Sequence, residues 1–283
     1  MDIQILKKLR EESGAGMLEC KNALNQANQN YESALKILQE TNKKEQNNQR
    51  VASKGSTHLV VKDNEAVLFE VNAETDFSVK NEHFMRLIHE MGFSLIDSKA
   101  RNVKEALNVQ VDEVSIDEKI KRTSFIIKEN VSLRRLFRII KKSEQCFGSY
   151  IHSNGRVSTL IILSSLHQEL ANQLALQVAA NSPLYLSPKT MDQDTINYEK
   201  FQFEKTNGSD NPQKFLTYLE SISLLKQTFI KNPEFTVETL LNDKKTSVID
   251  FFRLELGQGI ENKLNCRLDI PCDGSTITII PNQ

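Results

Sequence analysis

The sequence predicts an α+β fold, in which helices and antiparallel sheets alternate along the chain in separate blocks. Residues 2–42 carry three short helical patterns and no strand pattern. Two later stretches, residues 57–98 and 145–181, each read as a β-hairpin followed by a helix. This repeated order predicts two related α+β subdomains that follow an N-terminal helical domain.

The composition is that of an ordinary globular protein. Of the 283 residues, 39% are hydrophobic and 26% are charged, and the net charge is −1. So balanced a charge gives no basic field that could hold nucleic acid or an anionic membrane. No apolar run approaches the roughly 20 residues that a membrane-spanning helix needs. We therefore expect no direct nucleic-acid partner and no membrane association.

The N-terminus and the cysteines indicate a cytoplasmic location. The first residues, Met1-Asp2-Ile3-Gln4, are acidic and begin a helix pattern, unlike a signal peptide. No two cysteines form a Cys-x-x-Cys pair, and no histidine stands at zinc-finger spacing from them. Reduced thiols are therefore expected at Cys20, Cys146, Cys266 and Cys272.

Residues 1–44 are predicted to form the N-terminal three-helix domain. Asp2 and Asn30 are suited to cap its first and third helices. Three helices in so short a segment make a core near the lower limit for independent stability, so we expect exposed apolar residues to serve a partner. The apolar stripes are Ile3, Leu6 and Leu9, then Met17, Cys20, Ala23, Leu24 and Ala27, and finally Ala34, Ile37 and Leu38.

Met17 and Leu18 directly follow the break at residues 13–16 between the first two helices. In one interpretation, one of them faces the core and the other is exposed. In the other interpretation, both pack against the first helix. The apolar spacing alone leaves both interpretations open.

Residues 45–56 are polar and are predicted to be a linker, and residues 57–141 are predicted to be the first α+β subdomain. Its hairpin turns at Asp63-Asn64-Glu65. Its helix carries an apolar face, and the segment that follows is predicted to be helical over residues 102–130 and extended over 131–141. The apolar face consists of Phe84, Leu87, Ile88, Met91 and Leu95.

The junction between the second strand and this helix is polar except for one phenylalanine. The strand ends near Asn72, and Phe77 stands among two carboxylates and a threonine. Either Phe77 folds back as the first core residue of the helix, or it projects into a partner with Asp76 beside it. The pattern alone favours the buried position.

Residues 142–283 are predicted to be the second subdomain. Ser153-Asn154-Gly155 between two apolar runs is a strong hairpin signal. A helix runs to Asn181, and residues 190–228 form two polar helices around a break, which predicts a projecting helical hairpin. The remaining predictions are a short helix capped by Thr236, a strand over 248–256 and extended segments over 260–283.

No motif in the chain points to chemistry of its own. The phosphate-binding pattern Gly-x-x-x-x-Gly-Lys and the dinucleotide pattern Gly-x-Gly-x-x-Gly are both missing. The pair His89-Glu90 begins a zinc-protease motif, but Phe93 stands where the second histidine belongs. We therefore expect neither an enzyme nor a bound cofactor or metal, while a metal or hydrolytic site assembled only in the folded chain stays open as a third hypothesis.

Several stretches, in order along nearly the whole chain, resemble the signatures of the bacterial and organellar translation elongation factor Ts family. The central one is Glu70-Val71-Asn72-Ala73-Glu74-Thr75-Asp76-Phe77, and its resemblance overrides the preference for a buried Phe77. The others are residues 9–24, Gly148-Ser149-Tyr150-Ile151-His152, Val178-Ala179-Ala180 and residues 252–261.

The resemblance implies a guanine-nucleotide exchange factor for elongation factor Tu in translation. It implies that the chain binds both the GDP-bound and the nucleotide-free partner. The N-terminal domain, UBA-like in this family, would dock through Met17 and Leu18. The junction Thr75-Asp76-Phe77-Ser78 would displace structure around the partner's magnesium, so that GDP is released.

The resemblance also implies further contacts and shows several departures. Ile127 and Lys128 lie in the segment Ile127-Lys128-Glu129-Asn130, which matches an expected contact region, and His152 lies in a motif that faces another domain of the partner. The family usually has valine at Ser78 and glycine at Lys128, and the helical hairpin here is shorter. The pattern of the family's C-terminal helix is not recognisable in the sequence after Glu261, which makes residues 261–283 a divergent tail. These departures motivate an alternative function, that of a Tu-binding paralogue or holder protein without exchange activity.

Overall fold

The computed structural model describes residues 3–13, 16–45, 52–207 and 211–258. These residues divide into two compact units, each with its own core. The described residues of the first unit are 3–13, 16–45, 52–139, 154–156 and 255–258, and those of the second are 140–153, 157–207 and 211–254. The predicted α+β class is confirmed, because helices are combined with small antiparallel sheets.

The first unit begins with three helices, α1 (Ile3–Ser13), α2 (Met17–Gln26) and α3 (Tyr31–Glu45). The Asn30 side chain accepts a hydrogen bond from the Ser33 N–H at 2.9 Å and caps α3 as predicted. Asp2 and the side chain of Ile3 lie outside the described residues. The helices bury a small core together with Phe125 of a later helix, and this core contains Leu6, Leu9, Cys20, Ala23, Leu24, Ala27, Ala34 and Leu38.

A three-stranded sheet in the order β1-β2-β5 follows, formed by β1 (Lys54–Lys62), β2 (Glu65–Ala73) and β5 (Ser132–Ile140). β1 and β2 are antiparallel, from Lys54 opposite Ala73 to Lys62 opposite Glu65. β1 therefore begins three residues inside the predicted linker. β2 is the middle strand and is buried along nearly its whole length.

Helix α4 (Glu82–Asp97) packs on this sheet through the predicted apolar face. Its residues Phe84, Leu87 and Ile88 join Val67 and Phe69 of β2 in one core. The Asn81 side chain accepts the His83 N–H and caps the helix. The order of hairpin, junction and helix is thus as predicted.

The prediction of continuous helix over residues 102–130 is wrong. The structure has α5 (Val103–Leu107), a hairpin of β3 (Gln110–Val111) and β4 (Val114–Ser115), and α6 (Ile116–Ile127). Asp112 and Glu113 form the two-residue turn with φ values of 51° and 66°. A turn with two positive φ values usually has Asn-Gly or Asp-Gly, so Asp-Glu gave no hairpin signal.

The second unit contains a sheet in the order β6-β7-β8, formed by β6 (Cys146–His152), β7 (Val157–Leu163) and β8 (Val248–Glu255). β6 and β7 are antiparallel, as predicted, and Asn154 in their connection has a left-handed φ of 54°. Helix α7 (Gln168–Asn181) packs on this sheet, and Leu163, Leu170, Leu174 and Val178 lie in the shared core.

The predicted helical hairpin is formed by α8 (Gln193–Asn207) and α9 (Pro212–Ser221). The rings of Phe203, Phe215 and Tyr218 are in contact between the two helices. The carboxylate of Glu199, a buried residue, accepts hydrogen bonds from the hydroxyls of Tyr185 and Tyr218 at 2.8 and 2.7 Å.

The chain then continues into α10 (Val237–Asp243), which Thr236 caps as predicted. Cys20 and Cys146, the two cysteines in the described ranges, are buried thiols without a disulfide. The predicted tail over 261–283, with Cys266 and Cys272, lies outside the described residues. The predicted domain boundaries at residues 44, 56 and 141 stay predictions.

Candidate functional site

The connection between β2 and α4, which we call the 74–78 turn (Glu74–Ser78), presents an unusual pair of side chains. Phe77 is 81% exposed, and Asp76 beside it is exposed as well. Ser78, the next residue, is only 2% exposed. The interpretation that Phe77 folds back into the core of the helix is therefore wrong.

The carboxylate of Glu129 holds this turn. One of its oxygens accepts the backbone N–H groups of Glu74 and Thr75 at 3.1 and 3.0 Å. The same oxygen accepts the Ser78 hydroxyl, and the other accepts the Thr75 hydroxyl. In return, the Glu74 carboxylate accepts the Asn130 N–H at 3.1 Å. The turn and residues 129–130 are thus joined in both directions.

These contacts also stabilise the charge on Glu129. Partial burial raises the pKa of this carboxyl, but hydrogen bonds from Ser78, Thr75 and the Glu74 N–H lower it by more. The net pKa lies below the usual glutamate value. An ionised carboxylate only accepts hydrogen bonds, so both hydroxyls must donate to it.

Lys128 ends α6 in a left-handed conformation, with φ 59° and ψ 33°. Glycine is the residue that usually adopts this conformation after a helix, because it has no Cβ to crowd the backbone. The exposed Lys128 keeps the conformation, and Glu129 follows it directly. Ile127 is partly buried against the core of the first unit, so only part of its side chain is available to a partner.

Met17 and Leu18 form an apolar pair at the start of α2. Their side chains are 46% and 70% exposed. Both interpretations from the sequence are therefore wrong, because neither residue packs into the core. The Gly16 N–H donates to the Glu19 carboxylate at 2.7 Å and begins the helix. The buried face starts only at Cys20.

His152 ends β6 in the second unit and is exposed. Its Nδ1 lies 3.1 Å from the Tyr150 hydroxyl, and the two rings are 6.0 Å apart between centroids. Tyr150 thus restrains the imidazole on the strand surface.

The structure brings the 74–78 turn together with residues 128–130 and gives Glu129 a role that the sequence did not point to. Glu129 lies in the segment that the resemblance singled out at Ile127 and Lys128. Its own role follows from the hydrogen bonds to Thr75 and Ser78. Met17 and Leu18 lie elsewhere on the first unit, and His152 lies on the second.

Two comparisons with known proteins bear on this arrangement. The sequence model of a family described as Elongation factor TS matches residues 74–258, beginning at the 74–78 turn. A protein named Elongation factor Ts from Acholeplasma laidlawii (strain PG-8A) is 38% identical over 278 residues, which are 92% of this chain and 94% of that protein. The chain belongs to the elongation factor Ts family.

Membership confirms the resemblance seen in the sequence. The chain is an elongation factor of protein biosynthesis, in a family whose members bind elongation factor Tu and promote nucleotide exchange. Within the described ranges, no group of three or more His, Cys, Asp or Glu side chains is placed to hold a metal ion. The described helices are all too short or too polar to cross a membrane.

Proposed function

We propose that the chain binds elongation factor Tu in its GDP-bound state and accelerates GDP release by disturbing the magnesium and phosphate site of that partner. Thr75, Asp76, Phe77 and Ser78 form the segment that acts there. The observation that carries this proposal is the exposure of Phe77 beside Asp76 on a turn held by Glu129. Burial of a large, water-exposed apolar side chain by a partner lowers the free energy of the complex.

The energy required explains why other surfaces must take part. An exchange factor must bind the nucleotide-free partner more tightly than the GDP-bound one, and the weakening is mutual. Reversing a population from 1:99 to 99:1 needs about 5.5 kcal/mol of differential affinity. Burial of one phenylalanine supplies about 1.5–3 kcal/mol. Phe77 alone is therefore insufficient.

We assign the remaining affinity to the other predicted contacts. The exposed pair Met17 and Leu18 offers apolar area for docking on the GTP-binding domain of the partner. Ile127 and Lys128 stand beside the carboxylate that holds the turn, and His152 is exposed on the second unit. In this proposal the chain changes no covalent bond and needs no cofactor, and its location is the cytoplasm.

The first prediction tests the proposal by stopped-flow release of mant-GDP from elongation factor Tu. We expect the wild-type chain to accelerate release by orders of magnitude and the Asp76→Ala/Phe77→Ala variant to lose most of this effect. Phe93→Ala is the matched control, since Phe93 is a second phenylalanine, 66% exposed, on α4 of the same unit. No acceleration by the wild-type chain at micromolar concentration would refute the proposal.

The alternative is a Tu-binding holder without exchange activity. The left-handed Lys128, at a position suited to glycine, is the observation that favours it, because it adds a cationic side chain to an expected contact region. For a holder, Phe77→Ala should bind Tu as the wild type does and leave its function unchanged. For an exchange factor, the same variant should still bind Tu, but Tu should release GDP more slowly than it does with the wild-type chain.

A further inference from the structure

The 74–78 turn has a polar anchor on each side of its exposed pair. Thr75 precedes Asp76 and Phe77, Ser78 follows them, and the hydroxyls of both donate to Glu129. The Thr75 and Glu74 N–H groups donate to the same carboxylate. Neither Asp76 nor Phe77 takes part in these bonds. One carboxylate therefore fixes the segment while its tip stays exposed.

An exposed phenylalanine does not hold such a position by its own packing. Burial of an aromatic ring is favourable, so a loose turn would let Phe77 fold against nearby apolar surface. Within the turn, the Ser78 N–H lies 3.4 Å from the Thr75 carbonyl oxygen, a long hydrogen bond. The bonds to Glu129 are the stronger restraint, because hydrogen bonds to a charged acceptor exceed neutral ones.

We propose that Glu129 is the positioning residue of the 74–78 turn and keeps Asp76 and Phe77 presented to the partner before binding. Its effect on exchange rests on the proposed function, whereas its effect on the turn does not. A turn that must be ordered during binding weakens association by roughly tenfold for each residue fixed. A turn ordered in the free protein avoids that loss.

The test uses a fluorescent reporter at the tip of the turn. The chain has no tryptophan, so Phe77→Trp gives a single tryptophan in the full-length protein. Its steady-state anisotropy and its quenching by acrylamide report the mobility and exposure of that side chain without any partner. We expect Glu129→Ala in this background to lower the anisotropy of the reporter. We also expect it to lower the quenching by acrylamide, because a loose turn lets the ring fold against nearby apolar surface.

Graded variants separate positioning from a general loss of folding. Glu129→Gln keeps one carbonyl oxygen as acceptor and should give an intermediate effect, while Ser78→Ala removes one of the four bonds and should give a smaller one. Glu118→Ala is the control, since this α6 carboxylate pairs with Arg122 at 2.7 Å on the surface. The control should match the parent. Thermal melting followed by circular dichroism shows which variants stay folded. If Glu129→Ala is unfolded, the anisotropy and quenching of Glu129→Gln and Ser78→Ala test the positioning role instead.

Exchange assays with the native Phe77 form the second arm. Glu129→Ala should raise the half-saturating concentration of the chain for GDP release by about tenfold or more, with a smaller change in the maximal acceleration. Unchanged anisotropy and quenching in folded Glu129 variants would overturn the proposal. The wild-type chain could fail to accelerate GDP release from elongation factor Tu while the Glu129 variants still change the reporter's anisotropy. In that case the positioning role stands and the proposed exchange function fails.

Discussion

At the scale of single residues, His58 links stability to pH. It lies on β1 with its ring against Phe69 and His89, at centroid distances of 5.6 and 5.3 Å. Burial, with a smaller contribution from the charge of His89, lowers the pKa of His58 from 6.5 to about 4. The folded protein thus keeps this imidazole neutral under conditions in which the unfolded chain protonates it.

The second prediction follows from this difference. Between pH 6.5 and about pH 4 the unfolded chain binds a proton at His58 that the folded chain does not, so stability falls as the pH falls through this range. From pH 7.5 to pH 5 we expect this group to remove about 2 kcal/mol from the free energy of unfolding. His58→Leu should abolish this contribution to the pH dependence of the free energy of unfolding. Urea denaturation at both pH values measures it.

The control for this measurement is His83→Gln, because His83 is an exposed histidine on α4. The control should keep the pH dependence of the wild type, to which carboxylates also contribute. Equal pH dependence in His58→Leu and the wild type would contradict the assignment.

At the scale of elements, the contact of β6 with α7 depends on Gly148. A Cβ atom added at this residue would lie 2.0 Å from the carbonyl oxygen of Ala171, and backbone atoms of a packed helix cannot move aside cheaply. The glycine in the stretch Gly148–His152 is therefore required by the approach of helix to strand. The same strand carries His152 at its end.

The third prediction is that Gly148→Ala destabilises the protein by about 3 kcal/mol, because it forces α7 away from the sheet. Thermal and urea unfolding measure the change. Ser149→Ala, an exposed neighbour on the same strand, should stay within about 0.5 kcal/mol of the wild type. Similar stability of the two variants would show that α7 does not pack as closely as described.

At the scale of the whole molecule, binding must draw on surfaces outside the 74–78 turn. The fourth prediction concerns the N-terminal pair. Met17→Ser/Leu18→Ser should weaken the affinity for nucleotide-free elongation factor Tu by about tenfold or more, since each buried apolar side chain contributes about 1.5–3 kcal/mol. Isothermal titration calorimetry measures the affinity.

Both side chains are exposed in the free chain, so the urea concentration at the midpoint of unfolding should be the same for this double variant as for the wild type. Leu166→Ser is the control, because Leu166 is a comparably exposed leucine, 71%, in the second unit. Full affinity in the Met17→Ser/Leu18→Ser variant would exclude docking through α2.

Much of the fold was predictable because it follows from local patterns. The 3.6-residue spacing of Leu87, Met91 and Leu95 predicted α4, and Asn154-Gly155 predicted the β6–β7 hairpin. The β3–β4 hairpin was not predictable in this way. Asp112 suits the first position of its turn, but Glu113 takes the second, where glycine is usual, so the pair gives no hairpin signal.

The sequence by itself determined the family, the order of hairpin and helix in the two α+β stretches and the polar character of the junction before α4. Its residue pattern favoured a buried Phe77, because periodicity describes one element at a time, and only the family resemblance implied that Phe77 projects. Only the tertiary structure decided this, by placing Glu129 against a turn that ends 51 residues earlier in the chain. Hydrogen bonds across that separation depend on how α6 returns to the sheet, which no local pattern encodes.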